Sequence, residues 1–304
     1  MNIILGFPQA DLQTGRYLLE AFEELGHKIV AIHDPLTSKA SQLLDLVDMH
    51  KPDFIFLSRD ITYNETIEQL SKKTITVMWN VDVRDDINLF LNEHKPLYKY
   101  CHLKFTIGKG NLFKYKQAGI ENIYWLSEGI SPVWHRTEEM DFKDILMATD
   151  VVFAGSNTGI HRGRRELLNI LEKNEKFEFM HYTRMFNRAH NKMCQSAKIN
   201  IGNSGWSNVE LSMSARDYRI MGAGGFLLTN HIKGIENWFE VGKMCDTYKS
   251  PEECLEKIEY YLEHEDERKA MAKYGQEVVH AKHKFSDRLK EVVERVRDFK
   301  GESK

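Results

Sequence analysis

The stretch "RDYRIMGAGGFLLTN", residues 216–230, crowds Gly222, Gly224 and Gly225 between a helix-like run and a strand-like run. Two readings compete. Either the glycines hold a phosphate, or they turn a corner into a buried strand. The dinucleotide fingerprint needs G-x-G-x-x-G after a strand and before a helix. Here the order is reversed, and Leu227 stands where the last glycine belongs. On local grounds a left-handed helix C-cap at Gly222 fits as well as an anion site does.

On both sides of this loop the chain alternates strand and helix signals. Apolar strand-like runs fall at 2–7, 27–33, 53–58, 74–80, 104–108 and 122–129, then at 150–156, 177–183, 198–203, 225–229 and 243–248. Helical runs separate them, at 16–26, 41–51, 64–73 and 111–119, then at 163–174, 188–197 and 209–221. In the first helical run Leu18, Leu19, Phe22 and Leu25 share one face, and Gly26 ends it. Strands alternating with helices imply βαβ units and parallel sheets covered on both faces. The rhythm breaks over 132–148 and then restarts, which divides the chain into 1–140, 141–280 and a helical C-terminus, 281–304, able to cross back to the first domain. The last long helical stretch opens at Ser250, Pro251 and Glu253, a capping-box pattern.

Bulk properties narrow the class. With 304 residues, 42% apolar and 29% charged, the chain can bury a large core without staples. A net charge of −3 gives no global pull toward nucleic acid or membrane. No apolar run reaches the ~18–20 residues that span a bilayer. The N-terminus lacks the basic-then-apolar pattern of a signal peptide. Cys101, Cys194, Cys245 and Cys254 form no C-x-x-C pair, so no zinc or dithiol motif is signalled, and reduced thiols fit a cytoplasmic protein. The histidines form no H-E-x-x-H, and His280 and His283 read as helix-surface residues.

A second loop adds weight to the anion reading. "VVFAGSNTGIHRGRRELL", 151–168, runs strand, Gly/Ser-rich loop, basic helix start. Helix N-termini favour anions. Arg162, Arg164 and Arg165 sit where the helix dipole disfavours cations, so a partner such as a diphosphate is expected to hold them. No Walker A lysine follows. Open α/β sheets bind ligands beyond the carboxyl ends of their strands. In the first half those positions hold Asp11 and Gly15, Arg59 and Asp60, Asn80 and Asp82, and Glu128–Gly129. In the second they hold Ser156 to Arg164, Tyr182 and Arg184, and the run 203–206.

These residues carry a family resemblance. "SARDYRIMGAGGFLLTN", then "GIENWFEVGKMCDTYKSPEE" and "ERKAMAKYGQ…HKFSDR", resembles the C-terminal half of glycosyltransferases related to the spore-maturation protein CgeB. "TVMWNVD", "KYKQAGIENIYWLSEGISP" and "DVVFAGSNTGIHRGRRELL" are similar to earlier parts of that family's pattern. The resemblance implies a GT-B fold, with two Rossmann-like doubly wound domains facing across a cleft. It implies a cytoplasmic hexosyltransferase-like enzyme that takes a nucleotide sugar, UDP-sugar first, with no metal or other cofactor. The acceptor stays open among protein, glycan, small molecule and modified DNA.

Carried over residue by residue, Ser214 and Arg216 match the donor-side serine and arginine. Gly222, Gly224 and Gly225 match the turn near the diphosphate. Arg164 or Arg165, with Ser156, Arg162 and Tyr182, completes the donor set. Asp82 matches the acid of the first domain and is the first candidate base, with Asp11 and Asp60 behind it. The family glutamate at the donor ribose aligns with Arg219, and Asp217 or Glu210 is a candidate substitute. That loss keeps a second reading open, a nucleotide-sugar-binding module without activity. A third is an epimerase on the same donor. A DNA-modifying enzyme, of a bacteriophage for example, is also open. Lys95, Lys99, Lys104, Lys109, Lys114 and Lys116, interleaved with tyrosines and phenylalanines, suit nucleic acid, although a solvated helix explains them too.

Overall fold

The computed structural model describes residues 1–9, 14–32, 40–59, 66–146, 148–157 and 162–301. The chain divides into two compact units, 1–128 with 285–304, and 129–284.

The first unit is built on a six-stranded parallel sheet. Its strands are β1 (Asn2–Gly6), β2 (Lys28–Ala31), β3 (Phe54–Ser58), β4 (Ile75–Asn80), β5 (Leu103–Thr106) and β6 (Ile123–Trp125). Their order is β2-β1-β3-β4-β5-β6. Its helices are α1 (Thr14–Glu24), α2 (Ala40–His50), α3 (Ile67–Ser71), α4 (Asn88–Glu93), α5 (Lys95–Tyr100) and α6 (Leu112–Gln117). Both faces are buried, which is why the strands read as continuous apolar runs rather than alternating ones. One face carries Ile4, Ile55, Leu57 and Met78 against Leu70, Phe90, Tyr98 and Tyr115. The other is aromatic. Phe56 stacks on Trp79 with centroids 6.4 Å apart, and Phe22 meets Phe56 edge-on.

The second unit has a five-stranded parallel sheet of β7 (Val151–Ala154), β8 (Phe179–Tyr182), β9 (Ile199–Gly202), β10 (Leu227–Asn230) and β11 (Asp246–Tyr248), in the order β11-β10-β9-β7-β8. Its helices are α7 (Phe142–Leu146), α8 (Arg162–Glu172), α9 (Asn187–Ser196), α10 (Ala215–Gly222), α11 (Pro251–Glu263) and α12 (Glu265–Lys282). Val151, Phe153, Ile201 and Leu228 pack against Leu167, Leu171, Cys254 and Ile258.

Each sheet is doubly wound. The chain starts one strand in from an edge, adds that edge strand, then returns past the first strand and proceeds the other way. The switch points lie between β1 and β3, and between β7 and β9. Ligand sites in such sheets lie outside the carboxyl ends at the switch.

The C-terminal helix α13 (Phe285–Lys300) belongs to the first unit. Its Phe285 ring stacks on Tyr17 at 6.0 Å, and Lys300 pairs with Asp53 at 2.7 Å. The second unit begins at 129, ahead of the 140/141 break in rhythm. The reason is a tether that carries little regular structure but many hydrogen bonds. Ile130 N–H donates to His283 O, and Asn191 donates to Trp134 O.

The glycine stretch turns a corner. Gly224, not Gly222, takes the left-handed conformation, with φ +83°. Gly224 N–H donates to Met221 O and Gly225 N–H to Ile220 O, the paired bonds of a Schellman C-cap. Gly225 lacks a side chain because Asn200 Nδ2 would lie 2.7 Å from its β-carbon. This turn enters β10, so it lies at the amino end of the sheet, away from the carboxyl edge.

Three other expectations change. The helix before the glycines starts at Ala215 rather than 209, because Asp217 reaches back to accept the Ser214 N–H at 3.1 Å, one half of a capping box. His283 is buried, packed edge-on against Trp238 and Phe239. His280 is half-buried, with Nε2 2.9 Å from Gly222 O. At Ser250 the hydroxyl caps Glu253 N–H as the pattern predicts, while the Glu253 carboxylate accepts from Lys249 N–H, one residue further out.

Candidate functional site

At the β7/β9 switch point, two guanidinium groups meet. Arg164, in the first turn of α8, donates to Ser156 O at 3.2 Å and to Asn203 O at 2.8 Å. Arg216, in the first turn of α10, donates from Nε to Ala154 O at 2.6 Å and from Nη1 to the same Asn203 O at 3.1 Å. Both lie over the Phe153 ring, at 5.7 Å and 4.6 Å from its centroid. The dipole penalty on Arg164 is therefore met by backbone carbonyls of the strand-end loops. That is a partner the sequence pattern alone does not show.

The two cations are close and partly desolvated, and among the described residues neither has a carboxylate within 4.0 Å. Burial first, and Arg216 second, push Arg164 down to about 10, so it stays charged at neutral pH. Arg216 is lowered by burial, with Asp217 pulling the other way. Each guanidinium has five N–H donors, and the bonds to carbonyls leave some of them over. Arg164 Nε is buried and makes no hydrogen bond among the described residues. Two such groups sharing one carbonyl make an electrostatic environment that an anion improves.

Arg164 also lines an open pocket of about 800 Å³ beyond the carboxyl ends of β9, β10 and β11. Its polar wall includes Asn203, Ser204 and Trp206, which the carboxyl-end rule anticipates. It also includes Asn230, His231, Lys233, Lys249 and Ser250. The same rule, applied after the last two strands of the sequence, finds those. A pocket of this size suits a small organic ligand.

Of the other candidates in this unit, some brace this pair and others lie away from it. Asp217 is fully buried and accepts from Ser214 N–H, Thr229 Oγ1, Ser204 Oγ and Ser214 Oγ, at 3.1 to 3.4 Å. Burial raises its pKa despite those donors. These partners tie it to α10, β10 and the β9 loop, so it organises the site's frame. Ser214 caps α10. Arg165 is exposed, and Arg162 lies in α8 with its side chain outside the described residues. Tyr182 accepts the Gly155 N–H through its carbonyl, and its side chain lines a separate pocket of about 220 Å³ with Met185, Lys192 and Met193. Arg219 sits one turn below Arg216 and adds positive potential at His190 and His135, whose pKa values burial already lowers. Gly222, Gly224 and Gly225 lie at the far end of α10.

In the first unit, Asp82 follows β4, is 57% exposed, and pairs with Arg59 at 2.6 Å. Arg59 in turn lies 4.9 Å over Phe90. Asp11 and Asp60 lie outside the described residues. Among the described residues no cluster of histidine, cysteine or carboxylate groups is arranged to hold a metal ion, and no helix is long and apolar enough to cross a membrane.

Residues 149–294 match the family model described as "Glycosyl transferase-like". None of the curated proteins matches the sequence. Solved structures do resemble the fold. Sucrose-phosphate synthase from Thermosynechococcus elongatus superposes with TM-score 0.71 at 10% identity, covering all of both chains. An α-glucosyltransferase in complex with UDP-glucose and DNA containing an abasic site gives TM-score 0.69 at 9% identity, over 97% of this chain and 98% of that one. HepE from Anabaena, in complex with UDP-glucose, gives TM-score 0.66 at 12% identity, over 98% of this chain and all of that one. The two doubly wound sheets and the helical C-terminus are the GT-B architecture of these solved structures, and residues 149–294, which span the second sheet, are similar to the glycosyl transferase-like family.

Proposed function

We propose that this enzyme transfers a hexose from a UDP-sugar to an acceptor hydroxyl, with Arg164 and Arg216 holding the diphosphate. The observation that carries the reading is their convergence on Asn203 O at the switch point of the second sheet. Solved proteins of the same fold that hold UDP or UDP-glucose support the choice of donor. The finer kinship with CgeB-like enzymes, and action in the cytoplasm, are part of the same proposal.

The chemistry follows from charge. As the bond between C1 and the diphosphate oxygen breaks, negative charge grows on the phosphate. Fixed cations already desolvated at that spot stabilise it without reorganisation. Backbone N–H groups in the first turn of α10 add to the field. In this proposal the arginines do this work in place of a divalent ion, so EDTA leaves turnover unchanged. Arg219 adds a further cation one turn away, consistent with a site organised around phosphate charge. For inversion at C1, a carboxylate must take the acceptor proton. Asp82 is assigned that role, with Arg59 fixing its orientation.

The test is a thermal-shift screen of UDP, GDP, dTDP and their glucose conjugates, followed by assay of slow donor hydrolysis. UDP and UDP-glucose are expected to raise the Tm, and Arg164→Met to abolish that rise. If no nucleoside diphosphate stabilises the protein, the assignment is wrong. Binding with neither hydrolysis nor transfer points to the binding-module reading.

A further inference from the structure

The lysine-rich segment 95–116 does not form a single solvated helix. It folds as α5, β5 and α6, and several of its cations gather near the amino end of β5, away from the carboxyl edge of that sheet. An open pocket of about 670 Å³ there is lined by Lys95, Lys99, Tyr100, His102, Lys104 and Phe299. A second, of about 720 Å³, is lined by Lys116, Tyr124, Trp125 and Arg295. The two adjoin across the turn 119–122, which lines both.

Three features distinguish this groove from ordinary surface. The first is charge. Five lysines and arginines line it, against the carboxylates of Glu121 and Glu291, in a chain whose net charge is −3. The second is Lys104. It is only 5% exposed, and its ammonium makes one hydrogen bond, to Cys101 O at 2.9 Å. Among the described residues no carboxylate lies within 4.0 Å of it. Burial lowers its pKa, the mark of a charge short of compensation. An apolar residue would be cheaper at this spot. The third is the pairing of cations with flat rings. Lys99 Nζ lies 4.6 Å from the Tyr100 centroid, and Arg295 lies 4.3 Å from that of Tyr124. Phe299 leaves 43% of its surface exposed at the pocket.

The cation–ring pairing occurs in each pocket. A lone phosphate would use the first and leave the second unexplained. An occupant that alternates anionic and planar groups uses both. We propose that this groove binds single-stranded nucleic acid, with its phosphates on Lys95, Lys99, Lys104, Lys116 and Arg295 and its bases on exposed Phe299 and the half-buried rings of Tyr100, Tyr124 and Trp125. A duplex hides the base faces that the rings would stack on. The inference stands apart from the sugar-transfer reading, because it uses none of the residues of the second unit.

The test is fluorescence anisotropy with a labelled thymidine oligonucleotide of ~12 nucleotides. The same length of duplex and free dTMP serve as controls, between about 50 and 200 mM salt. The oligonucleotide is expected to bind with an affinity that falls steeply with salt. Lys99→Ala should flatten the log–log slope by about 0.7, the share of one phosphate on a single strand. Phe299→Ala should weaken binding about fivefold or more at unchanged slope. Lys104→Met probes the buried ammonium. If that variant does not fold, the two exposed positions still decide. Each folded variant should keep the wild-type thermal response to UDP, which separates this groove from the donor site. Absence of salt-dependent binding overturns the proposal. So does tighter binding of duplex, binding confined to dTMP, or affinity unchanged in the variants.

Discussion

A β-carbon on Gly155 would lie 2.3 Å from Nη2 of Arg216. The glycine that ends the first strand of the second unit is thus the space into which the guanidinium fits. Gly155→Ala must displace Arg216 from Phe153 and from the carbonyls of Ala154 and Asn203. We expect overpacking to cost about 1–3 kcal/mol of stability. UDP affinity should fall at least tenfold. Thermal melts and titration calorimetry on the same preparation check both. Unchanged affinity would separate Arg216 from the donor.

Gly224 provides the contrasting case. Its φ of +83° is left-handed, and Gln276 Nε2 lies 3.2 Å from where a β-carbon would go. Gly224→Ala is expected to cost about 1–2 kcal/mol from backbone strain. Because the Schellman turn enters β10 at the amino end of the sheet, UDP affinity should stay within twofold of wild type. A large affinity loss at wild-type stability would return the glycine turn to the phosphate site.

Asp82 carries the acid–base part of the proposal. Asp82→Asn keeps the shape and removes the base and the Arg59 ion pair. That pair is more than half exposed on the aspartate side, so its loss should change stability by about 1 kcal/mol at most. Turnover is expected to drop about 100-fold or more, with KM for the donor unchanged. Steady-state kinetics with the identified acceptor measures this. A wild-type kcat would remove Asp82 from the chemistry.

The sheet strands were legible because doubly wound parallel sheets bury both faces, and runs such as 53–58 and 150–156 carry that signature unbroken. Short helices were not. α4 and α5, of six residues each, are too brief to show a 3.6-residue period and are held by packing, as Phe90, Leu97 and Tyr98 show. The start of α10 is hidden because "VELSMS" has a helix-like apolar spacing, whereas the S-x-x-D pair three residues apart marks the true N-terminus. At the site, Arg164 and Arg216 could be named from sequence. Their common acceptor could not, since Asn203 comes 39 residues after one and 13 before the other. Asp217 is readable as a candidate of the donor set. Its role in bracing β10 through Thr229 depends on Gly202, where a β-carbon would stand 2.5 Å from Asp217 Oδ1. Such a contact is visible only in three dimensions.

His190 gives a pH dependence whose sign can be worked out. Burial, then Arg219 and Arg216, push its pKa down from 6.5 to about 3. His135 is lowered in the same sense, by burial and then by Arg219, His190 and His280. The unfolded chain takes up a proton near 6.5 and the folded one does not until far lower. Stability is therefore complete above that pH and is lost as pH falls through the window down to about 3. Each such imidazole contributes a slope of about 1.4 kcal/mol per pH unit within it. His27 and His102 of the first unit, both lowered by burial, add in the same direction. The salt-bridged Asp144 and Asp150 are lowered too, but act mainly below about pH 5. Asp217 and Glu291, raised by burial, act in the opposite sense, so the difference between a histidine variant and wild type in chemical denaturation between pH 7 and 5 is what isolates one imidazole. His190→Met should flatten the dependence there by about one imidazole's share, whatever its effect on absolute stability. A slope identical to wild type would show that His190 is protonated in the folded protein, and that the positive potential of Arg219 is neutralised before it reaches the ring.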